Sequence, residues 1–246
     1  MGERVLHTII LAAGSGTRMH SAVPKVLHEV AGTPMLGWVL AAAGHVTTGR
    51  LVVVTRFQAD RVEEFVRERA PRAVTVRQDD IPGTGRAVEC ALGALPDGDV
   101  LVLCGDVPLL DAQALSDLVS EHRRSGALAT VLTALVDDPT GYGRVERDGA
   151  RSVVGIVEQA DASNEQRQIR EINSGTYVFD VAALRSALAQ VGTANAQGEK
   201  YLTDVIGLLA RESGGVSAQP VRDARLVQGV NSPEQLALAE QFASGL

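Results

Sequence analysis

The stretch LAAGSGTRM, residues 11–19, follows a continuous apolar run at residues 5–11. An apolar run of this length predicts a strand that is covered on both faces of a sheet. Gly14 and Gly16 allow a sharp turn that aims successive backbone N–H groups at one anion. Because ligands of open α/β sheets bind beyond the carboxyl ends of parallel strands, the stretch is a candidate phosphate-binding loop.

The elements after this loop alternate between helix and strand. The patterns predict a helix at 35–44, a strand at 51–55, a helix at 60–69, a strand at 73–77, a helix at 84–95 and a strand at 99–104. This βαβ order predicts a mainly parallel central sheet with helices on both faces, which is a three-layer, Rossmann-like α/β fold.

The second half of the chain follows a different order. It contains a predicted helix at 112–125, strand at 127–136, hairpin of 143–147 and 152–158 with a tight turn, strand within 169–180 and helix at 201–213. Ser232-Pro233-Glu234 starts a last helix that runs to about residue 243. No Pro- or Ser-rich linker and no repeat interrupts the sequence, so we expect a single domain over residues 1–246.

The composition excludes several classes of function. Hydrophobic residues make up 45% and charged residues 22%, which is typical of a globular protein with a sizeable core. The net charge of −7 and the 3% of aromatic residues argue against nucleic acid or an anionic membrane as a partner. The two cysteines are too few for a disulfide framework. With no membrane-span-length apolar segment and no signal-peptide pattern, we expect a cytoplasmic protein.

Two basic residues follow the glycines. Arg18 offers a planar fork that matches phosphate oxygens, and Lys25, in the stretch PKVL, offers a compact charge. The Walker loop is excluded because Gly16 is followed by Thr17 and Arg18, and the dinucleotide fingerprint is excluded because its third glycine is Met19. A glycine-rich turn alone is equally compatible with a structural role, so the basic residues are what favour a phosphate site.

Together, LAAGSGTRM and PKVL resemble the signature of the sugar-phosphate nucleotidyltransferases. Within them, the whole chain is similar to the uridylyltransferase portion of the bacterial bifunctional pyrophosphorylase/acetyltransferases. The resemblance implies Mg²⁺-dependent transfer of UMP from UTP to N-acetylglucosamine 1-phosphate, a step toward cell-wall and amino-sugar polymers. It implies catalytic roles for Arg18 and Lys25, and contacts to the nucleotide by the loop residues Leu11, Ala13, Gly14 and Gly16.

A second loop, QDDIPGTGRA at 78–87, carries the base-recognition residues of the resemblance. A Gln78 amide can both donate to and accept from the imide edge of uracil, and Gly83 lets the backbone approach a flat base. Thr84 is able to cap the next helix, and an ordinary capped loop is the alternative reading. Related enzymes usually have His where this chain has Arg86, which lies either near the nucleotide or on the helix surface.

The remaining matches concern the metal and the sugar. Asp106 closes a strand and Asn231 lies in the stretch GVNS, and the resemblance makes these two residues the protein ligands of Mg²⁺. From the residue alone, Asp106 is also compatible with a helix cap. Gly143, Glu158 and Asn173 correspond to residues that bind the N-acetylated sugar, although surface polarity is the commoner explanation for the last two. The nucleotide-binding part then covers about 1–110, and the sugar- and metal-binding part about 111–246.

The resemblance leaves rival interpretations. The chain contains no hexapeptide repeats of the acetyltransferase β-helix, so we expect neither acetyl transfer nor its trimer, and a monomer or weak oligomer instead. The nearest rival is a related nucleotidyltransferase that uses CTP or dTTP, or another sugar 1-phosphate. A binding module without chemistry is disfavoured because Lys25, Asp106 and Asn231 are all present.

Overall fold

The computed structural model describes residues 4–244, which form two β-sheets and seven α-helices. The strands are β1 (Leu6–Ala12), β2 (Glu29–Val30), β3 (Thr33–Pro34), β4 (Leu51–Thr55), β5 (Val74–Arg77), β6 (Asp99–Cys104), β7 (Ala129–Leu135), β8 (Arg144–Arg147), β9 (Val153–Val157), β10 (Glu171–Asp180) and β11 (Val216–Pro220). The helices are α1 (Met35–Val46), α2 (Ala59–Arg69), α3 (Thr84–Leu92), α4 (Ala112–Ser125), α5 (Val181–Leu188), α6 (Asp204–Leu209) and α7 (Pro233–Ala243). The predicted three-layer α/β class is confirmed.

The main sheet has the strand order β11-β7-β10-β6-β1-β4-β5, and the β8–β9 hairpin is attached to β10. Strand β1 pairs in parallel with β4 on one side and with β6 on the other, and β4 pairs in parallel with β5. Only β10 runs against its neighbours on this path within residues 4–244. After β5 the chain therefore returns to the other side of β1. This makes the gap between the carboxyl ends of β1 and β6 a topological switch point, where ligands of open α/β sheets bind.

Two apolar cores hold the helices against the sheet. Helices α1, α2 and α4 bury side chains such as Leu36, Val62 and Leu115 on one face. Helix α3, with α5 and α6, buries residues such as Val88 and Leu184 on the other. Because both faces are covered, β1 is buried along almost its whole length, including His7 and Thr8, which interrupt its apolar run.

The second half of the chain extends the sheet with antiparallel pairs. β10 lies between β6 and β7, and its register on β7 shifts between Asn173 and Tyr177. Gly175, inside this bulge, has φ +77°, which glycine adopts without a steric penalty. The bulge bends β10 where the β8–β9 hairpin joins it through the pair Ile172–Arg144.

Several sequence predictions need correction. The helix expected over 201–213 is only α6, because the backbone of Lys200 pairs with the loop that contains Pro82 and Gly85. Helix α3 ends at Leu92 rather than at residue 95. The hairpin turn is not tight: residues 148–152 form a longer connection, in which Arg151 has φ +69°. Helix α5, strand β11 and the β2–β3 pair were not predicted.

The last helix begins as the sequence indicates. Ser232 Oγ accepts a hydrogen bond from the backbone N–H of Gln235 (3.3 Å), and Pro233 occupies the first turn. Helix α7 then packs through Ala239 on a small core that includes Val30 and Val230. This packing fixes the segment immediately before the helix, which contains Asn231. No helix within residues 4–244 is both long and apolar enough to cross a membrane.

Candidate active site

An open cleft of about 760 Å³ lies at the carboxyl ends of β1, β4, β5 and β6. Eight of the residues that the sequence assigned to a site line it: Leu11, Ala13, Gly14, Lys25, Gln78, Gly83, Thr84 and Asp106. They come from two loops and from the ends of two strands that are far apart in sequence. The cleft therefore sits at the switch point of the sheet, where the sequence analysis expected the phosphate loop.

The phosphate loop is shaped around the stem of Lys25. Gly16 has φ +62°, and a Cβ atom at this position would lie 2.6 Å from Lys25 Cβ. Its carbonyl accepts a hydrogen bond from the N–H of Met19 (2.9 Å), which closes the 3₁₀ turn Thr17–Met19. Gly16 thus has two reasons to be glycine, the left-handed backbone and the close approach of Lys25.

Four predicted residues meet at the phosphate end of the cleft. Lys25 Nζ donates hydrogen bonds to Asp106 Oδ2 and to Asn231 Oδ1, the latter at 2.9 Å. Arg18 Nη2 donates to the same Asn231 oxygen at 3.1 Å. The Lys25 and Asp106 side chains are only 13% and 18% exposed. A backbone hydrogen bond from the N–H of Val230 to the carbonyl of Asp106 (2.9 Å) holds these distant segments side by side.

This arrangement fits a divalent cation. Asp106 Oδ2 and Asn231 Oδ1 converge on one positive group, the Lys25 ammonium, and both are the hard oxygens that Mg²⁺ prefers. Within residues 4–244 no cluster of three or more His, Cys, Asp or Glu side chains is able to hold a metal ion. A cation at this point would therefore complete its shell with water and substrate phosphate oxygens, which is the usual environment of Mg²⁺.

The base loop is held by its own side chains and by the segment around Lys200. Gln78 Nε2 donates to the carbonyls of Ile81 (2.9 Å) and Gly83 (3.2 Å). Its Oε1 atom makes no hydrogen bond to the described part of the chain, so it is the group that remains able to meet a ligand. Gly83 has φ +114°, and a Cβ there would lie 2.3 Å from the Lys200 carbonyl oxygen. The sequence predicts a glycine here because a base needs room. The structure adds a second reason, the close approach of the Lys200 backbone, which the sequence does not reveal.

The prediction that Thr84 caps helix α3 is wrong. Gly83 occupies the cap position, with no side-chain cap, and Thr84 is the first helical residue. Its Oγ1 accepts a hydrogen bond from the N–H of Leu202 at 3.2 Å. Thr84 lines the cleft as expected, but its hydroxyl joins the base loop to the segment before α6.

We expect Gly83→Ala to lower the free energy of unfolding by about 2–3 kcal/mol, since a side chain there meets both a positive φ and the Lys200 backbone. Gly93→Ala is the matched control, because Gly93, just after α3, has φ −62° and open space around its Cβ position. Denaturant unfolding of both variants measures the difference. Equal unfolding free energies for the two would contradict the contact.

The position of Arg86, which the sequence left open, is on the ion-paired surface of helix α3. Its guanidinium donates to both carboxylate oxygens of Asp79 and to Glu89 Oε2 at 2.6 Å. Both carboxylate oxygens of Glu89 also accept hydrogen bonds from Lys200 Nζ at 3.0 Å. The Arg86 guanidinium lowers the pKa of the Asp79 carboxyl, as expected for an ion pair. Arg86 does not line the cleft, so it stabilises the base loop from outside.

The three predicted sugar-binding residues lie together on the opposite side of Asp106. The N–H of Asn173 donates to the Gly143 carbonyl (2.9 Å), and a Cβ on Gly143 would lie 3.4 Å from Glu158 Oε2. Glu158 Oε1 accepts a hydrogen bond from Thr203 Oγ1 at 2.9 Å. Gly143 comes directly before β8, Glu158 comes directly after β9, and Asn173 lies in β10. The hairpin and the bulge together therefore form this group of residues.

Both polar groups of the Asn173 side chain make hydrogen bonds within the protein. Its Nδ2 donates to Tyr177 Oη (2.7 Å), its Oδ1 accepts from the N–H of Gly175 (3.0 Å), and the residue is only 8% exposed. Asn173 therefore stabilises the bulge in β10. The amide keeps one N–H donor and one acceptor site for a sugar, in an orientation that these two bonds fix.

Cys104 connects the two parts of the site. It lines the cleft beside Asp106, and its Sγ donates a weak hydrogen bond to the Gly175 carbonyl at 3.6 Å. Burial, together with the Asp106 carboxylate, raises the pKa of the Cys104 thiol to about 12. The thiol is therefore neutral at physiological pH and serves as a small apolar wall rather than as a nucleophile.

Burial raises the pKa of the Glu158 carboxyl above its ordinary value, and the nearby carboxylates of Asp204 and Asp161 act in the same direction. Between the unfolded and the folded pKa, the folded state binds more protons than the unfolded state. This carboxyl therefore favours folding below its unfolded pKa, and that contribution is lost as the pH rises through the folded pKa.

We expect Glu158→Gln to gain stability relative to the unmodified protein as the pH rises from 4 to 7. Melting temperatures of both proteins, measured in steps across this range, test the sign. Glu146→Gln is the control, since Glu146 lies on the same hairpin in the neighbouring strand β8. The expectation is wrong if the melting temperature of Glu158→Gln, relative to that of the unmodified protein, stays constant or falls as the pH rises. That result would show that burial does not penalise the charged form of Glu158.

Some cleft residues were not found from the sequence. Arg56, Phe57 and Gln58, which follow β4, line the cleft. They match no phosphate or base motif. The only available signal was their place directly after a parallel strand. Arg144 is buried at 1% exposure and donates to Gln159 Oε1 (2.7 Å) and to the Tyr142 carbonyl, so it holds the turn before β8.

Comparisons with known proteins agree with this geometry. The family model described as the MobA-like NTP transferase domain matches residues 8–204. The "Bifunctional protein GlmU" of Clavibacter sepedonicus is 53% identical over 234 residues, which cover 94% of this chain and 48% of the relative. The protein of the same name from Mycobacterium bovis is 50% identical over 245 residues, covering 97% and 49%. The chain thus spans about half the length of the curated relatives that it matches.

Solved structures share the fold at low sequence identity. A UDP-glucose pyrophosphorylase complexed with UDP-glucose has a TM-score of 0.78 at 16% identity, covering 98% of this chain and 99% of that one. A putative glucose-1-phosphate thymidylyltransferase from Bacillus anthracis has a TM-score of 0.76 at 19% identity, covering 98% and 96%. These similarities confirm the nucleotidyltransferase fold that the sequence motifs implied.

Proposed function

Because the chain belongs to the family of MobA-like NTP transferase domains, we propose that it transfers UMP from UTP to N-acetylglucosamine 1-phosphate and releases pyrophosphate. The observation that carries the proposal is the meeting of Arg18, Lys25, Asp106 and Asn231 at one end of a single cleft. The relatives named GlmU, which are 50–53% identical and of which this chain covers about half, support the choice of sugar and base.

The reaction needs no general base. A phosphate monoester has its second pKa near ~6, so the sugar phosphate is mostly dianionic at neutral pH. One of its oxygens attacks the α-phosphorus of UTP in line. The new oxygen–phosphorus bond forms as the bond from the α-phosphorus to the bridging oxygen breaks, and that oxygen leaves with pyrophosphate. The work left to the protein is alignment and the neutralisation of charge.

The basic residues perform the neutralisation. Lys25 stabilises charge on the transferred phosphate, and Arg18 holds the departing pyrophosphate with its planar fork. Asp106 and Asn231 would hold Mg²⁺, which when bound would supply further positive charge to the phosphate oxygens. Both Lys25 and Arg18 donate to Asn231 in the free protein, and each keeps further N–H groups that are able to donate to phosphate oxygens.

Two groups of residues account for specificity. Gln78 Oε1 accepts from the imide N–H of uracil, a donor that the cytosine ring lacks at this position. At the other end, Gly143 and Glu158 contact the sugar, and Asn173 shapes the bulge that faces it. In this scheme the nucleotide-binding part is about 1–110, and the sugar- and metal-binding part is the remainder.

The proposal is tested by pyrophosphate release with four nucleoside triphosphates and a panel of sugar 1-phosphates, each with and without Mg²⁺. UTP with N-acetylglucosamine 1-phosphate should be the fastest pair, and removal of Mg²⁺ should stop turnover. Fastest turnover with CTP, or indifference to the acetamido group, would overturn the substrate assignment and leave nucleotidyl transfer in place.

A further inference from the structure

Three consecutive residues directly after β4 form a wall of the cleft that the proposed function does not use. They are Arg56, Phe57 and Gln58. Strand β4 lies between β1 and β5, and neighbouring strands are about 4.8 Å apart. The loop after β4 therefore stands between the phosphate loop, which follows β1, and the base loop, which follows β5. It is placed between the parts of the cleft that the proposed function assigns to the phosphates and to the base.

One end of this wall is fixed to the segment that leads to Lys25. Gln58 has φ +46°, a left-handed conformation that non-glycine residues seldom adopt. Its Nε2 donates to the Ala22 carbonyl at 2.9 Å. Arg61 Nη1 donates to the same carbonyl (2.9 Å) and to Gln58 Oε1 (2.8 Å). The Gln58 side chain thus makes two hydrogen bonds, and Arg61 joins it to the same Ala22 carbonyl, which holds this unusual backbone in place.

The other end is tied to the base loop. Arg56 Nη2 donates to the Asp80 carbonyl at 3.4 Å and lies 3.8 Å from the Asp80 carboxylate. Both side chains are exposed, so this link is weaker than the one at Gln58. Phe57 therefore lies between two residues that are hydrogen-bonded, on one side to the segment before Lys25 and on the other to the base loop.

The exposure of Phe57 requires an explanation. Its ring is one of only four Phe rings in the chain, and it is 38% exposed in the wall of a polar cleft. Leaving so large an apolar group in water gains nothing for folding, whereas a flat ring that covers a nucleobase gains about 1–3 kcal/mol. The phosphates are accounted for at Lys25, at the far end of the cleft, so the base is the ligand surface that an apolar ring suits.

We infer that Phe57 packs against the nucleobase of the bound triphosphate and forms the apolar side of a base site whose polar side is Gln78. The inference rests on the proposed function. It gives the two residues different roles. Phe57 increases the affinity for any nucleotide, because every base has an apolar face, and Gln78 supplies the preference for uracil.

The test measures binding of UTP and of inorganic triphosphate, which has no base, by calorimetry. Phe57→Ala should weaken UTP about 5–30-fold, the range that corresponds to 1–2 kcal/mol, and change inorganic triphosphate less than twofold. Phe57→Trp should keep UTP affinity. The control is Leu135→Ala, because Leu135 is an exposed apolar residue at the end of β7 and does not line the cleft.

Two results would overturn the inference. In the first, Phe57→Ala binds UTP as tightly as the unmodified protein. In the second, the variant loses UTP and inorganic triphosphate equally, which would mean that the loop only braces the phosphate segment. The proposed function fails instead if the folded, unmodified protein binds inorganic triphosphate but binds all nucleoside triphosphates equally well. This outcome is distinguishable because it is measured without any variant.

Discussion

Replacing Asp106 by asparagine is expected to lower kcat for pyrophosphate release by about 10²–10³-fold, the usual cost of removing one charged group that acts in the transition state. The change keeps the size of the side chain and an oxygen able to accept from Lys25 Nζ, so the local hydrogen bonds survive. What it removes is the only carboxylate of the proposed Mg²⁺ pair.

The matched control is Asp117→Asn, which makes the same chemical change at an exposed carboxylate on α4, away from the cleft. Steady-state pyrophosphate release with saturating UTP and sugar phosphate gives kcat for both variants, and thermal melting shows that both are folded. A kcat for Asp106→Asn within threefold of the control would remove Asp106 from the catalytic assembly.

The fold was predictable to the extent that local pattern determines it. Apolar runs identified the central strands, and the Ser232-Pro233 start identified α7, because caps and periodicity act over a few residues. Helix α5 was missed although Asp180 caps it, since the cap comes directly at the end of β10 without an intervening loop. Strand β11 was missed because its four half-buried residues and the exposed Pro220 show no clear alternation.

The site was predictable where one motif carries the chemistry. The glycines, Arg18, Lys25 and Asp106 occupy one end of the cleft as predicted, because strand ends in a parallel sheet share an edge. The relationship to bifunctional bacterial proteins is likewise confirmed by 50–53% identity over most of this chain.

The rest depends on contacts between distant segments. Gly83 is required by the backbone of Lys200, and the Thr84 hydroxyl accepts a hydrogen bond from the N–H of Leu202. Neither partner is indicated by the local sequence. Phe57 lies in no motif, and only the order of strands in the sheet places it in the cleft. Long-range geometry of this kind is not encoded in residue type or spacing.

The second large effect is expected at Lys25. Lys25→Met keeps a stem of similar length against Gly16 and removes the ammonium that contacts Asp106 and Asn231. Without this charge on the phosphates, kcat should fall about 10²–10³-fold. Lys25→Arg, which retains a positive charge, is the matched variant and should lose less activity.

The same substitution should strengthen metal binding in the absence of nucleotide. The Lys25 ammonium occupies the point on which the two proposed ligand oxygens converge, so ammonium and divalent cation compete for it. Removing the competitor should tighten Mn²⁺ binding about tenfold, or about 1.4 kcal/mol, as read by the electron paramagnetic resonance of free Mn²⁺. Lys25→Arg should bind Mn²⁺ no more tightly than the unmodified protein. Activity loss without tighter Mn²⁺ binding would mean that Lys25 acts on phosphate alone, and that the metal enters without displacing it.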